Sequence, residues 1–290
     1  MTAHTDKVDA GSVQTGNARA GRVHAPCPPP SGLSIARARA LLELRLFLRD
    51  RQQLVFGFFY PAIMMVIFGS VFAGEHVVGG VTYAQYFLAG IAATGIMLTS
   101  FQSTAIAIAA EREDGTLARL QATTMPPYAY FLGKIALVLV STVAQLALLI
   151  TIARAMFAVP LPVDPAHWTQ LVWVSVLGSC AGTALGIAAS IIPKSGKSAN
   201  VVIVPIALVL QFFSGVFFVY AALPSWMQHV AAVFPLKWMT QGLRAAFLPD
   251  GAGAVEVAGG WEQGRTALIL LAWAIAGITL SVRTFRWRPR

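Results

Sequence analysis

Charge is what this chain has least of: Asp, Glu, Lys and Arg make up 11% of its 290 residues, against 57% hydrophobic residues, where soluble domains carry about a quarter charged. With a mean hydropathy of +0.68, that shortage excludes a soluble enzyme and leaves an integral membrane protein. Cysteine is scarce too. Cys27 falls in an N-terminal tail and Cys180 in an apolar run, so no disulfide framework is expected. No grouping of Cys, His and carboxylate has metal-ligand spacing, and the five histidines (His4, His24, His76, His167, His229) lie in tail and loops with no nucleophile and base arranged around them. Within the long apolar runs there is no Asp or Glu at all. A proton-coupled carrier would need such groups, so energy for any transport has to come from elsewhere.

What the chain does have is apolar runs of about 20 residues, the length that crosses roughly 30 Å of hydrocarbon. They fall at about 54–73, 86–110, 131–153, 169–192, 201–221 and 266–282. The runs are continuous, whereas a transmembrane barrel would show segments of about ten residues with alternating polarity. The fold class expected is therefore an all-α integral membrane protein of six transmembrane helices.

The basic residues give its orientation. Eight precede the first span, three lie in the 111–134 loop, two in the 193–200 turn and four in the tail, which places 17 of the 21 Lys and Arg on one side. By the positive-inside rule both termini and the 111–134 loop are cytoplasmic in a multi-pass cell-membrane protein. The net charge of +9 then follows from topology and anionic lipid, and no nucleic-acid partner is implied.

Residues 1–33, rich in Ala, Gly, Thr and Pro, read as a disordered cytoplasmic tail without a signal peptide. Residues 34–53 read as an amphipathic helix in the interface plane, with Leu41, Leu44 and Leu48 on one stripe and Arg39, Glu43 and Asp50 roughly opposite, its arginines reaching lipid phosphates. In the 111–134 loop, Asp114, Gly115 and Thr116 form a turn, Leu117 and Leu120 share a helix face, and Pro126-Pro127 end the segment. A loop that only connected two spans could be shorter, so this one reads as a handle for a soluble partner. Residues 222–248, broken by Pro224 and Pro235, read as two short helices dipping back into the outer leaflet, with Trp226 and Trp238 in an interfacial belt. Arg154 ends the third span and can snorkel outward.

Inside the membrane, Gly178, Gly182 and Gly186 form a double GxxxG that admits a second helix, from the same chain or from a dimer partner. Gln102, Gln145, Gln211 and Ser214, with Phe212 beside them, are candidates for a translocation path, with interhelical hydrogen bonding as the alternative. Gly196-Lys197-Ser198 resembles the end of a phosphate-binding loop. Its required earlier glycine is Ile191, however, and a membrane helix precedes it where a strand is needed.

The layout of interfacial helix and six spans, the E-R-E-x-G-T-L segment (Glu111, Arg112, Glu113, Gly115, Thr116, Leu117) and the Pro-Leu-x-Trp…Leu-Arg segment (Pro235, Leu236, Trp238, Leu243, Arg244) resemble the ATP-binding cassette type 2 exporter permeases. The likeness is greatest to the subunits of daunorubicin-type drug resistance and runs over about residues 34–290; TTMPPYAY after residue 121 departs from the usual pattern. The resemblance implies a half-transporter, two copies of which, identical or related, pair with two separate ATPase subunits that hold the ATP and magnesium. This chain then needs no cofactor and is not itself an enzyme. It also implies that residues 111–123, Leu120 among them, form the coupling helix docking on the ATPase. The cargo expected is an amphipathic or hydrophobic small molecule such as an antibiotic. A lipid-linked glycan is the alternative within the family, and a non-transporting scaffold subunit is the alternative outside it.

Overall fold

The computed structural model describes residues 31–77, 80–123 and 125–285. The expected tail up to residue 30, with Cys27, and the basic residues 286, 288 and 290 lie outside the described residues.

Helix α1, Gly32–Arg49, starts two residues earlier than expected, because the Ser31 hydroxyl accepts from the Ser34 amide at 3.3 Å and caps it. Its orientation corrects the sequence reading. Ala36, Arg39, Glu43 and Phe47 form the buried stripe, while Leu41, Leu42, Leu46 and Leu48 are exposed. The charged face turns inward because partners for it wait on the neighbouring helices, and what α1 offers outward is leucine together with Arg37, Arg45 and Arg49.

The chain continues through α2, Arg51–Leu54, a π-helical turn at Val55–Phe59 and α3, Tyr60–Val71. A hairpin of β1, His76–Val77, and β2, Val81–Thr82, pairs antiparallel and leads into one of the two longest helices. This is α4, Tyr83–Met97, running through a second π-helical segment, Leu98–Ser103, into α5, Thr104–Glu113. The continuous Tyr83–Glu113 helix has 31 residues, about 46 Å of rise against roughly 30 Å of hydrocarbon. Every residue of α4 is buried, so it forms the axis of the bundle. After a turn comes the short α6, Thr116–Gln121. Pro126 and Pro127 do not stop it; they open α7, Pro127–Phe157, where a proline in the first turn loses no hydrogen bond.

Helices α8, Pro165–Ala189, and α9, Gly196–Phe213, follow. The Gly196-Lys197-Ser198 motif is a helix cap: Ser195 and Ser198 exchange side-chain and backbone hydrogen bonds at the start of α9. The span expected to run to residue 221 ends at Phe213, because Gly215 takes a positive φ of 70° and the chain turns back. Beyond it α10, Ser225–Val233, and α11, Pro235–Phe247, break at Phe234–Pro235 as expected. All of α11 from Leu236 to Phe247 is buried. Trp238, expected in an interfacial belt, is 1% exposed, and its indole N–H donates to the Ala232 carbonyl at 2.7 Å; Trp226 does lie outward. Helix α12, Gln263–Thr284, closes the bundle.

Five of these helices, Tyr83–Glu113, α7, α8, α9 and α12, are long and apolar enough to cross a membrane, and Gly57–Val71 is a shorter apolar helix. The glycine stripe on α8 is spent inside the chain. A Cβ at Gly178 would meet the Met239 side chain, one at Gly182 the Ser100 side chain, and one at Gly186 the Phe101 carbonyl at 2.6 Å. These glycines let α8 lie against α11 and the π-helical segment of the central helix.

Candidate functional site

The two ends of the long central helix each carry a buried charged cluster. At the base, Glu111 on the last turn of α5 accepts from the Lys134 ammonium at 2.6 Å and from the Tyr130 hydroxyl at 2.7 Å, both from the first turns of α7. Lys134 also donates to Glu43 of α1 at 3.0 Å. Arg39 pairs with Glu43 and approaches Glu111 to 3.7 Å. Two acids, two bases and a phenol thus neutralise one another, and the Tyr130 ring lies 5.1 Å below the Arg39 guanidinium. Only Glu111, with a side chain 19% exposed, keeps an edge toward solvent.

The next two residues reach in other directions. The Arg112 guanidinium donates to the Ser190 carbonyl at 2.7 Å and hydroxyl at 3.1 Å, at the C-terminus of α8. The Glu113 carboxylate accepts from the Gly196 amide at 2.8 Å, at the start of α9. Three consecutive side chains therefore hold α1 with α7, α8, and α9 to the foot of α5. Gly115 then takes φ 71°, the left-handed geometry that a glycine adopts without strain, and starts α6. Leu117 is fully buried against Ile108, Tyr130 and Ile187, with Leu120 packed beside them. Thr116 accepts from Arg119 at 3.2 Å.

Of the residues expected at a partner contact, Arg112 and Leu117 face the interior of the chain and act by placing the segment. The outward surface is formed by Glu113, Asp114, Arg119 and Gln121. Sequence reasoning missed Arg39, Glu43, Tyr130 and Lys134 as members of the site. The available signal was Glu43, an acid on a leucine-rich helix, and Lys134, a base at the start of a long apolar run.

At the opposite end, Arg244 of α11 is wholly buried. It donates to the Glu256 carboxylate at 2.6 Å and to the Gly215 carbonyl at 3.1 Å, with its guanidinium 4.8 Å from the centroid of the Tyr86 ring. The Tyr86 hydroxyl accepts from the Tyr220 amide at 3.1 Å. Two turns back, Lys237 pairs with Gln241 and stands 3.7 Å over the Trp238 ring; burial pushes its ammonium down to about 8.

The polar residues expected along a path are not brought together. Gln145 is buried and donates to the Gly57 carbonyl at 2.9 Å, Gln211 lies at 3.5 Å from the Tyr60 hydroxyl, and Ser214 is buried behind the Gly215 turn. Phe212 is 43% exposed on the outside of α9 and packs on Phe217. Gln102 alone lines a sizeable cavity, of about 480 Å³, near the base between the Tyr83–Glu113 helix and α9.

A bundle of apolar helices, with two clusters of buried ion pairs at the ends of its central helix, has the build of a multi-pass membrane protein. Residues 39–248 match the family model of the ABC-2 type transporter, and the chain belongs to that family. No curated protein matches it.

Proposed function

We propose that the chain is the permease half of an ATP-driven exporter. In this reading Gly57–Val71, with the helical turns before it, supplies a sixth crossing; both termini and the Gly115 turn are cytoplasmic; and two copies of the permease assemble with two copies of an ATPase subunit that binds ATP and magnesium. The single observation that carries it is the fan of Glu111, Arg112 and Glu113. A partner pressing on the exposed edge of α6 would move α1, α7, α8 and α9 through one rigid junction, because Leu117 is locked beneath it. Closure of two nucleotide-bound ATPases would then switch the spans from inward to outward access. The buried α11, held by Arg244, closes the outer end. An amphipathic or apolar small molecule, such as a drug or antibiotic, suits the cavity of about 480 Å³ at the base, where Leu98, Ile106 and Val204 stand beside Gln102 and Asn200, better than a long polar polymer does.

The test uses the Glu111→Ala/Glu113→Ala double variant and Gly115→Pro in the full complex with its ATPase subunit. Both variants should insert and yet fail to transport in vesicles, and hydrolysis should need the ATPase subunit and never appear with the permease alone. Normal transport by both variants refutes the reading.

A further inference from the structure

A smaller cavity, higher in the bundle than the one at the base, differs from it in having no polar side. About 140 Å³ in volume, it lies between the central helix, α8, α9, α11 and α12. Met97, Ser100 and Phe101 place it midway along the 31-residue Tyr83–Glu113 helix, and Phe234 and Pro235, at the break before α11, form part of its wall. Only two of its lining side chains carry an O–H or N–H, and both are turned to backbone. The Ser100 hydroxyl donates to the Ile96 carbonyl at 2.6 Å and the Trp273 indole to the Val233 carbonyl at 2.7 Å. A water molecule needs several polar partners, so this space stays dry; its volume is close to the roughly 150 Å³ at which a dry apolar cavity takes up one benzene molecule, about six carbon atoms.

The cavity is continuous with the surface that lipid covers. Ile206, on its wall, is 43% exposed; Val209, one turn further along α9, and Leu271 and Ile275, on either side of Trp273 in α12, are exposed as well. Helix α9 is tied at its foot by the Glu113 carboxylate on the Gly196 amide and at its far end by Phe213, edge-on to the Trp226 ring at 5.7 Å. Between these ties Ile206 and Leu210 face Leu185 of α8 across the cavity. In a bilayer the most concentrated apolar molecule is the phospholipid acyl chain, and its end lies at mid-depth of the hydrocarbon, level with the middle of a crossing helix.

We propose that this cavity binds the end of a phospholipid acyl chain, which enters between α9 and α12 and serves as an exchangeable part of the wall between α8 and α9. A chain end unpairs no polar group on entering or leaving, so α9 can shift against α8 with the gap refilled. The assignment requires only that the chain sit in a bilayer, and it does not depend on the exporter reading. The experiment places the full chain in phosphatidylcholine nanodiscs in which a small share of the lipid carries a diazirine at the end of one acyl chain, and maps the photolabelled residues by mass spectrometry. Met97 and Met239, 7% and 2% exposed, should be labelled alongside the lipid-facing Ile275. Ile206→Trp and Leu185→Phe, which fill the cavity, should each cut the label on both methionines about tenfold and leave that on Ile275 unchanged. A diazirine beside the headgroup should label neither methionine.

Absence of label on both methionines overturns the proposal, as does label there that survives both filling substitutions. Equal labelling of the methionines from the chain end and from beside the headgroup, a comparison made on the unsubstituted protein, overturns it as well. A phenyl diazirine without a lipid tail is run in parallel. If it labels the methionines and the chain-end reporter does not, the cavity takes a free apolar small molecule and the acyl-chain assignment falls.

Discussion

The base and the top of the central helix solve one problem, charge buried in an apolar protein, in two different ways. At the base, four charged groups and a phenol from three helices share their hydrogen bonds, and one member, Glu111, keeps access to solvent. At the top, Arg244 and Glu256 stand only 12 residues apart in sequence and are sealed completely, with Arg244 Nη2 and Glu256 Oε2 finding no hydrogen-bond partner among the described residues. The first arrangement transmits displacement, since no member can move without dragging another helix. The second is a local fastening, and its unpartnered atoms would gain hydrogen bonds as soon as water reached them.

That contrast can be broken at its most sensitive point first. Arg244→Met should leave Glu256 buried without a counter-charge and cost about 3–5 kcal/mol, read as a lowered midpoint of thermal unfolding in detergent; adding Glu256→Gln should recover most of the loss. Lys134→Met should cost less, roughly 2 kcal/mol, because Arg39 remains beside both acids and Glu111 is partly hydrated. Its larger effect should be functional, with transport lost while the protein stays folded, an outcome not expected of the Arg244 variant. Gly186→Ala should cost about 1–3 kcal/mol because the obstacle is the Phe101 backbone, and Gly178→Ala less, because the Met239 side chain can yield.

The smallest effect concerns pH and sharpens the account of the top. The Lys237 ammonium has its pKa lowered by burial from 10.5 to about 8. The unfolded chain therefore binds more protons than the folded one between those values, and stability should rise with pH from about 8 and level off near 10.5. Between pH 7 and 8.5 the gain should stay below about 1.4 kcal/mol, the worth of one pKa unit, and Lys237→Met should remove the slope in unfolding curves taken across that range.

Much of this was legible in the sequence. Apolar run length located the helices, and Pro235 and Gly115 announced the break before α11 and the turn before α6. The failures share a cause. Helical periodicity tells which residues lie on one face and says nothing of which face points inward, so the Arg39 and Glu43 stripe of α1 was assigned to lipid headgroups when it belongs to Lys134. Likewise the glycine stripe of α8 revealed close approach without its partners, and those partners are the chain's own α11 and central helix. Span 201–221 overran because Phe217 and Val219 continue the apolar composition past Gly215, where the backbone changes direction. Gln145 and Gln211 looked like path residues because a polar atom in a membrane must face something, and here the something is backbone or a tyrosine from α3.

The base cluster also sets an order of assembly. Arg39 and Glu43 pair within one turn of α1, so this stripe of the nascent helix can wait in the interface with its two charges neutralising each other. Lys134 is synthesised 91 residues after Glu43, which at about 5–20 residues per second is a delay of roughly 5–20 s. Only then can α1 rotate its leucines outward and seat its charges. The helix translated first among those described thus cannot find its final place until the Gly115 turn and the start of α7 have been made.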